Sequence, residues 1–232
     1  SSYGPSMVLR KIISEIPNIE KLGLPPAAHE SITHKTGLVL VTGQTGSGKS
    51  TSLAAMIDQI NSHRAENIIT IEDPIEFVHP AKKSIISQRE VGKDTGSFAK
   101  ALKSALRQDP DVILVGEMRD YETISLALTA AETGHLVFGT LHASSASSTI
   151  TRVLDVFPPA QKEQAQTMLA GSIRLVMSQQ LLKRKGGGRI GCHEVMTGTP
   201  AIRNLIREGK VEQIASTLQT SAKDGMFTME KC

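Results

Sequence analysis

The chain has 232 residues, with 26 Lys and Arg against 23 Asp and Glu, for a formal charge of +3. That excess is too small for a nucleic-acid footprint, and with no Trp, two Tyr and five Phe a stacking platform for single strands is not expected. No apolar run approaches the ~18 residues of a membrane span, and no basic stretch followed by an apolar core opens the chain, so neither a transmembrane helix nor a secretory signal is expected.

In chain order, residues 1–34 stand apart. Tyr3-Gly4-Pro5 and Gly23-Leu24-Pro25-Pro26 are turn signals, and a short strand is expected between them at 7–13. From Gly37 onward five β-like runs are expected, at 38–41, 68–71, 112–115, 136–141 and 189–195. The first four are nearly continuous in Val, Ile and Leu, the pattern of strands buried on both faces. Helical patterns fall between the strands at 50–61, 97–108 and 122–133, and a further helix is expected from about 159 to 182. Asp120 is the candidate cap of the 122–133 helix, and Gly134 its stop. Strands alternating with helices predict an α/β fold, a mostly parallel sheet with helices on both faces. Gly186, Gly187 and Gly188 mark a flexible turn inside the domain. The chain starts without Met and stops at residues that read as the beginning of an element, so truncation at both ends is expected. Cys192 and Cys232 make no CxxC pair, so neither a zinc cluster nor a disulfide framework is expected.

Gly43-Gln44-Thr45-Gly46-Ser47-Gly48-Lys49-Ser50 satisfies the G-x-x-x-x-G-K-[ST] pattern between a predicted strand and a predicted helix, the context that separates a phosphate loop from an ordinary glycine turn. The glycines let backbone N–H groups turn inward onto phosphate oxygens, and the helix start adds its partial positive charge. In this reading Lys49 reaches the β- and γ-phosphates of ATP, the Ser50 hydroxyl ligates Mg²⁺ and Thr51 contacts the α-phosphate.

Two acidic strand ends follow. After 112–115, Gly116 stands where many P-loop enzymes carry Asp, leaving Glu117 to hold Mg²⁺ or polarise water. The competing reading is an ion pair with Arg119. After 68–71 comes Glu72-Asp73-Pro74-Ile75-Glu76, so one acid can serve the metal and another the water, while a polar turn at Pro74 is the plainer alternative. His135 and His142 sit at opposite ends of the 136–141 strand and form no zinc pair; His142, at the C-terminal end, is a candidate γ-phosphate sensor. Arg107, Arg119 and Arg152 are candidate fingers, although a surface ion pair explains each one singly. A short helix with Pro200 in its first turn carries an apolar stripe of Ile202, Leu205 and Ile206, either packed or facing a partner.

The phosphate loop, the acidic box 70–76, the run from Asp111 to Asp120, Thr140-Leu141-His142 and Ala201-Ile202-Arg203-Asn204-Leu205-Ile206 occur in one order and spacing, and together they resemble the type II/IV secretion ATPase family along nearly the whole chain. The resemblance implies a RecA-like core over 35–232, with 1–34 as the last strand of a PAS-like domain plus a linker. It implies an ATP-hydrolysing homohexamer at the cytoplasmic face of the inner membrane. That ring withdraws pilin by acting on an inner-membrane platform protein, with a paralogous retraction ATPase as a further partner. By residue, it implies that Glu76 is catalytic, that Glu117 is the Walker B acid and that His135 and His142 belong to the family's histidine boxes. The segment Ala201–Ile206 would serve retraction, and Arg10 would contact nucleotide. Assembly members carry a four-cysteine zinc insert where this chain has one Cys, which favours retraction. An accessory paralogue that binds ATP and hydrolyses it poorly is the alternative, and the two intact acidic clusters argue against it.

Overall fold

The computed structural model describes residues 15–231; the strand expected at 7–13, Arg10 and Cys232 lie outside them. The elements are α1 (Ile19–Leu22), α2 (Pro26–Ser31), β1 (Gly37–Thr42), α3 (Lys49–His63), β2 (Asn67–Glu72), β3 (Ile85–Glu90), α4 (Phe98–Ala105), β4 (Val112–Val115), α5 (Tyr121–Glu132), β5 (Leu136–Leu141), α6 (Ala146–Asp155), α7 (Pro159–Ser172), β6 (Ile173–Lys183), β7 (Arg189–Thr197), α8 (Pro200–Arg207) and α9 (Ile214–Thr220). Among the described residues the strands form one seven-stranded sheet in the order β3-β2-β4-β5-β1-β6-β7. Every pairing is parallel except the β6–β7 hairpin.

The central strands are buried on both faces, and their side chains alternate between two cores. Leu38 and Leu40 of β1, Ile113 and Val115 of β4 and Val137 of β5 face α4 to α9. Val39 and Val41, Val112 and Leu114, and Leu136 and Phe138 face α3. Ile19, Leu24, Ala27, Ala28 and Ile32 join that second cluster, so α1 and α2, within the stretch expected as a linker, are docked on the core. Helix starts are fixed locally. Asp120 accepts from the Thr123 N–H at 2.9 Å to open α5, as expected, and Ser97 accepts from the Lys100 N–H at 3.2 Å to open α4.

Three expectations need correction. The helix expected from 159 to 182 ends at Ser172, and β6 begins at the next residue. Leu175, Val176 and Met177 are fully buried between β1 and β7, and a continuous apolar run does not by itself distinguish a buried strand from a buried helix. The strand β3 was not expected because it is the sheet's edge: it carries Ser87, Gln88, Arg89 and Glu90, and its Ile85 is exposed. Cys192 is disulfide-bonded, against the reading from spacing. The segment beyond α9 returns along β7, where Phe227 pairs with Val195 and the Met229 N–H donates to Glu194, and sequence separation alone does not reveal that return. No helix among the described residues is long and apolar enough to cross a membrane.

In α8, Ile202 and Ile206 are fully buried and Leu205 is half-buried, while Ala201 and Asn204 are exposed. Arg203 is committed to backbone: it donates to the carbonyls of Gly198 at 2.6 Å, Gly171 at 2.8 Å and Ile173 at 3.0 Å. Much of the Ala201–Ile206 segment is therefore core. Ile202→Ala should lower unfolding stability by about 2–5 kcal/mol, whereas Asn204→Ala should stay within about 0.5 kcal/mol. Denaturant unfolding of the two variants checks this, and equal losses would contradict the burial pattern.

Candidate active site

The loop after β1 sits at the C-terminal edge of the sheet, where α/β folds place their ligands. Gly43, Gly46 and Gly48 have φ of 145°, 79° and 90°, a region that side chains rarely adopt. At two of them a side chain would also collide with β6. A Cβ on Gly43 would lie 2.3 Å from the Gln179 carbonyl oxygen, and one on Gly48 would lie 2.7 Å from Gln179 Nε2. Lys49 opens α3, and its ammonium donates to the carbonyls of Gly43 and Gln44, each at 2.9 Å, so it lies across the loop. Ser50 and Thr51 are half-buried in the first turn of α3, and Thr45 is exposed at the tip of the loop. The Ser47 hydroxyl is buried with no hydrogen-bond partner, an orphaned polar group within the loop.

Glu117 follows β4. At Gly116 a Cβ would stand 3.0 Å from the Ile71 carbonyl oxygen and 3.2 Å from Glu72 Cα, so the backbone of β2 crowds the place where many such enzymes carry Asp. The Glu117 carboxylate pairs with the exposed guanidinium of Arg119 and lies 3.1 Å from His142 Nε2. The ion pair with Arg119 is present, and the same carboxylate stands beside His142 at the candidate site. Burial alone would raise the Glu117 pKa, but Arg119 above all, with His142 and Lys49, outweighs it and holds the carboxyl below its ordinary value. Burial lowers the Lys49 ammonium, opposed by the charges of Glu117 and Glu76, which places both carboxylates within electrostatic reach of the lysine.

The acidic box divides its work. Glu72 accepts from Thr70 Oγ1 at 2.7 Å and from Gln88 Nε2 at 3.1 Å, and burial pushes its carboxyl up, so it braces β2 against β3. Glu76 is half-buried in the loop that follows. His135 is not brought to this edge. It precedes β5 at the opposite end, about 23 Å from His142 at ~3.3 Å per strand residue, and its Nδ1 lies 3.0 Å from the Ala130 carbonyl oxygen at the end of α5. Of the candidate arginines, Arg119 and Arg152 line the same open groove of about 1240 Å³ as Gly43, Gln44, Thr45 and His142. Arg107 is exposed just beyond α4 and does not line it.

The sequence reading missed the support beneath the loop. Thr42 Oγ1 lies 2.9 Å from Ser178 Oγ, and Thr149 of α6 donates to Thr42 at 3.3 Å. Gln179 lies beside them on β6, a strand that the sequence presents as helix.

If Arg119 holds down the Glu117 pKa, Arg119→Ala should raise it. Because the folded value is depressed, the stability that Glu117 contributes is complete above its unfolded pKa of about 4.3 and is lost as pH falls through the folded value. Carboxyl carbon shifts of Glu117, titrated by NMR in both proteins, should show an upward movement in the variant. An unmoved midpoint would contradict the pairing.

Over 99% of its length the chain is 58% identical to PilT of Pseudomonas aeruginosa, described as a type IV pilus retractation ATPase, and it covers 67% of that protein. It is 57% identical to a twitching motility protein of Neisseria gonorrhoeae, across 98% of this chain and 61% of that protein. The crystal structure of the pilus retraction motor PilT with bound ADP matches at a TM-score of 0.87 and 54% identity, across 95% of this chain and 67% of that one. The chain thus spans between 61% and 67% of the length of these relatives. Residues 1–231 match the family described as type II/IV secretion system protein. That match runs through the phosphate loop, both acidic strand ends and α8, and the chain belongs to the type II/IV secretion system protein family.

Proposed function

We propose that the chain is the ATP-hydrolysing core of a homohexameric motor for type IV pilus retraction. The observation that carries the chemistry is Lys49, held across a glycine loop at the sheet edge and within electrostatic reach of Glu117 and Glu76. The direction of the work rests on the similarity to relatives named for retraction and twitching.

In this reading the loop amides and the start of α3 hold the phosphates, with Gly43, Thr45, Gly46, Ser47 and Gly48 forming the cradle and Thr51 at the α-phosphate. Lys49 neutralises the β- and γ-phosphates. Ser50 and Glu117 would hold Mg²⁺, which when bound supplies further positive charge against the phosphate oxygens. Glu76 polarises the attacking water and takes its proton as the water oxygen bonds to the γ-phosphorus. The bond to the β–γ bridging oxygen breaks, and ADP and phosphate leave. His142, seated against Glu117, reads the occupancy of the γ-phosphate position. His135, at the other end of β5, keeps a structural role.

The site is an open groove with exposed Arg119 and Arg152 on its wall, which suits completion by a neighbouring subunit of a ring. We read residues 1–34 as the end of a preceding PAS-like domain with its linker, and 35–232 as the RecA-like motor domain. The ring would work at the cytoplasmic face of the inner membrane on a platform protein, with the exposed Ala201 and Asn204 of α8 as part of the surface that couples hydrolysis to retraction.

Lys49→Ala should reduce ATP turnover by at least about 100-fold, and Glu117→Gln should retain bound ATP while turnover falls by a similar factor. Steady-state phosphate release and filter retention of labelled ATP measure the two effects. Unchanged turnover in Lys49→Ala would overturn the reading.

A further inference from the structure

The phosphate loop is gripped from behind by a residue outside the motif. Gln179 of β6 is 4% exposed. Its Nε2 donates to the Ser47 carbonyl at 2.8 Å, and its Oε1 accepts from Ser52 Oγ at 2.8 Å. One side-chain amide therefore ties the middle of the loop to the first turn of α3. Its backbone carbonyl and its Nε2 are also the atoms that exclude side chains at Gly43 and Gly48. Ser178, the preceding residue, points to the other face of the sheet and holds Thr42. Successive residues of one strand thus clamp the end of β1 and the loop from opposite faces.

We propose that Gln179 is a positioning residue for the nucleotide site, orienting the Gly48 amide toward the phosphates by drawing the Ser47 carbonyl back against β6. The C=O and N–H of a trans peptide point in opposite directions. A Ser47 carbonyl held against β6 therefore turns the Gly48 N–H away from β6, into the cradle. Gln179 touches no substrate in this account; it acts through the loop. The inference rests on the nucleotide reading above.

The test is a titration of the full chain with a fluorescent ADP analogue, beside thermal unfolding without nucleotide. Gln179→Met keeps the bulk and loses both hydrogen bonds, and it should raise the Kd about tenfold. Gln179→Glu keeps the acceptor for Ser52 but sets a carboxylate against the Ser47 carbonyl, and it should raise the Kd at least as far. Ser52→Ala removes only the hydroxyl that orients the amide and should raise the Kd about threefold, with no further effect once Gln179 is Met. Amides of residues 43–49 should exchange faster in each variant while those of β1 and β5 keep their protection. A merely structural Gln179 would lower the melting temperature and leave the Kd within twofold of wild type, and that result overturns the inference. If Gln179→Met does not fold, Ser52→Ala and Gln179→Glu decide in the same titration. A wild-type chain that binds no analogue would instead remove the nucleotide reading, and this inference with it.

Discussion

The site depends on how the backbone leaves β1. Between Thr42 and Lys49 the chain must turn through conformations open to glycine and deliver the start of α3 to the sheet edge. Lys49 and the Ser47 N–H bond the loop to itself through the carbonyls of Gly43 and Gln44, and further support comes from outside it. That support comes from β6, where Gln179 and Ser178 take hold of the loop and of Thr42 from the two faces of the sheet. The loop is therefore only as well formed as the pairing of β1 with β6. The glycine pattern follows from the same contact, since two of its positions are closed to side chains by Gln179 itself.

Electrostatics at this edge follow from the same topology. The order β2-β4-β5-β1 sets the ends of β2, β4 and β5 along one sheet edge with the loop, so that Glu117 meets His142 and both Glu117 and Glu76, far apart in sequence, act electrostatically on Lys49. Arg119, with His142 and Lys49, holds the Glu117 carboxyl below its ordinary value, while burial lowers the Lys49 ammonium against the charges of Glu117 and Glu76. The exposed arginine makes that balance sensitive to whatever docks against the groove.

Much of this was legible in the sequence, and the remainder was hidden for identifiable reasons. The runs at 38–41, 68–71, 112–115 and 136–141 read as doubly buried strands because Val, Ile and Leu fill both faces, and the phosphate loop between strand and helix announced itself. Asp120 was readable because an N-cap is a local device. The break at Ser172 was not, because the apolar run that begins at Ile173 carries no period and its partners on both sides are distant in sequence. That single misreading also hid Gln179, whose part appears only once β6 lies beside the loop. The sequence already set His135 and His142 at opposite ends of one strand, and β5 holds them there. In α8 the same segment that resembles a retraction element sets Ile202 and Ile206 into the core, because an amphipathic helix presents an apolar stripe whether its cover is its own sheet or a partner.

The central claim is that nucleotide occupies the loop between β1 and α3. Amide hydrogen exchange of the full chain with and without ADP tests it most directly. Added protection is expected across residues 43–51, with smaller changes around Glu117 and His142 and little change in α8. Protection confined to another face of the molecule, with 43–51 unaltered at saturating ADP, would contradict it.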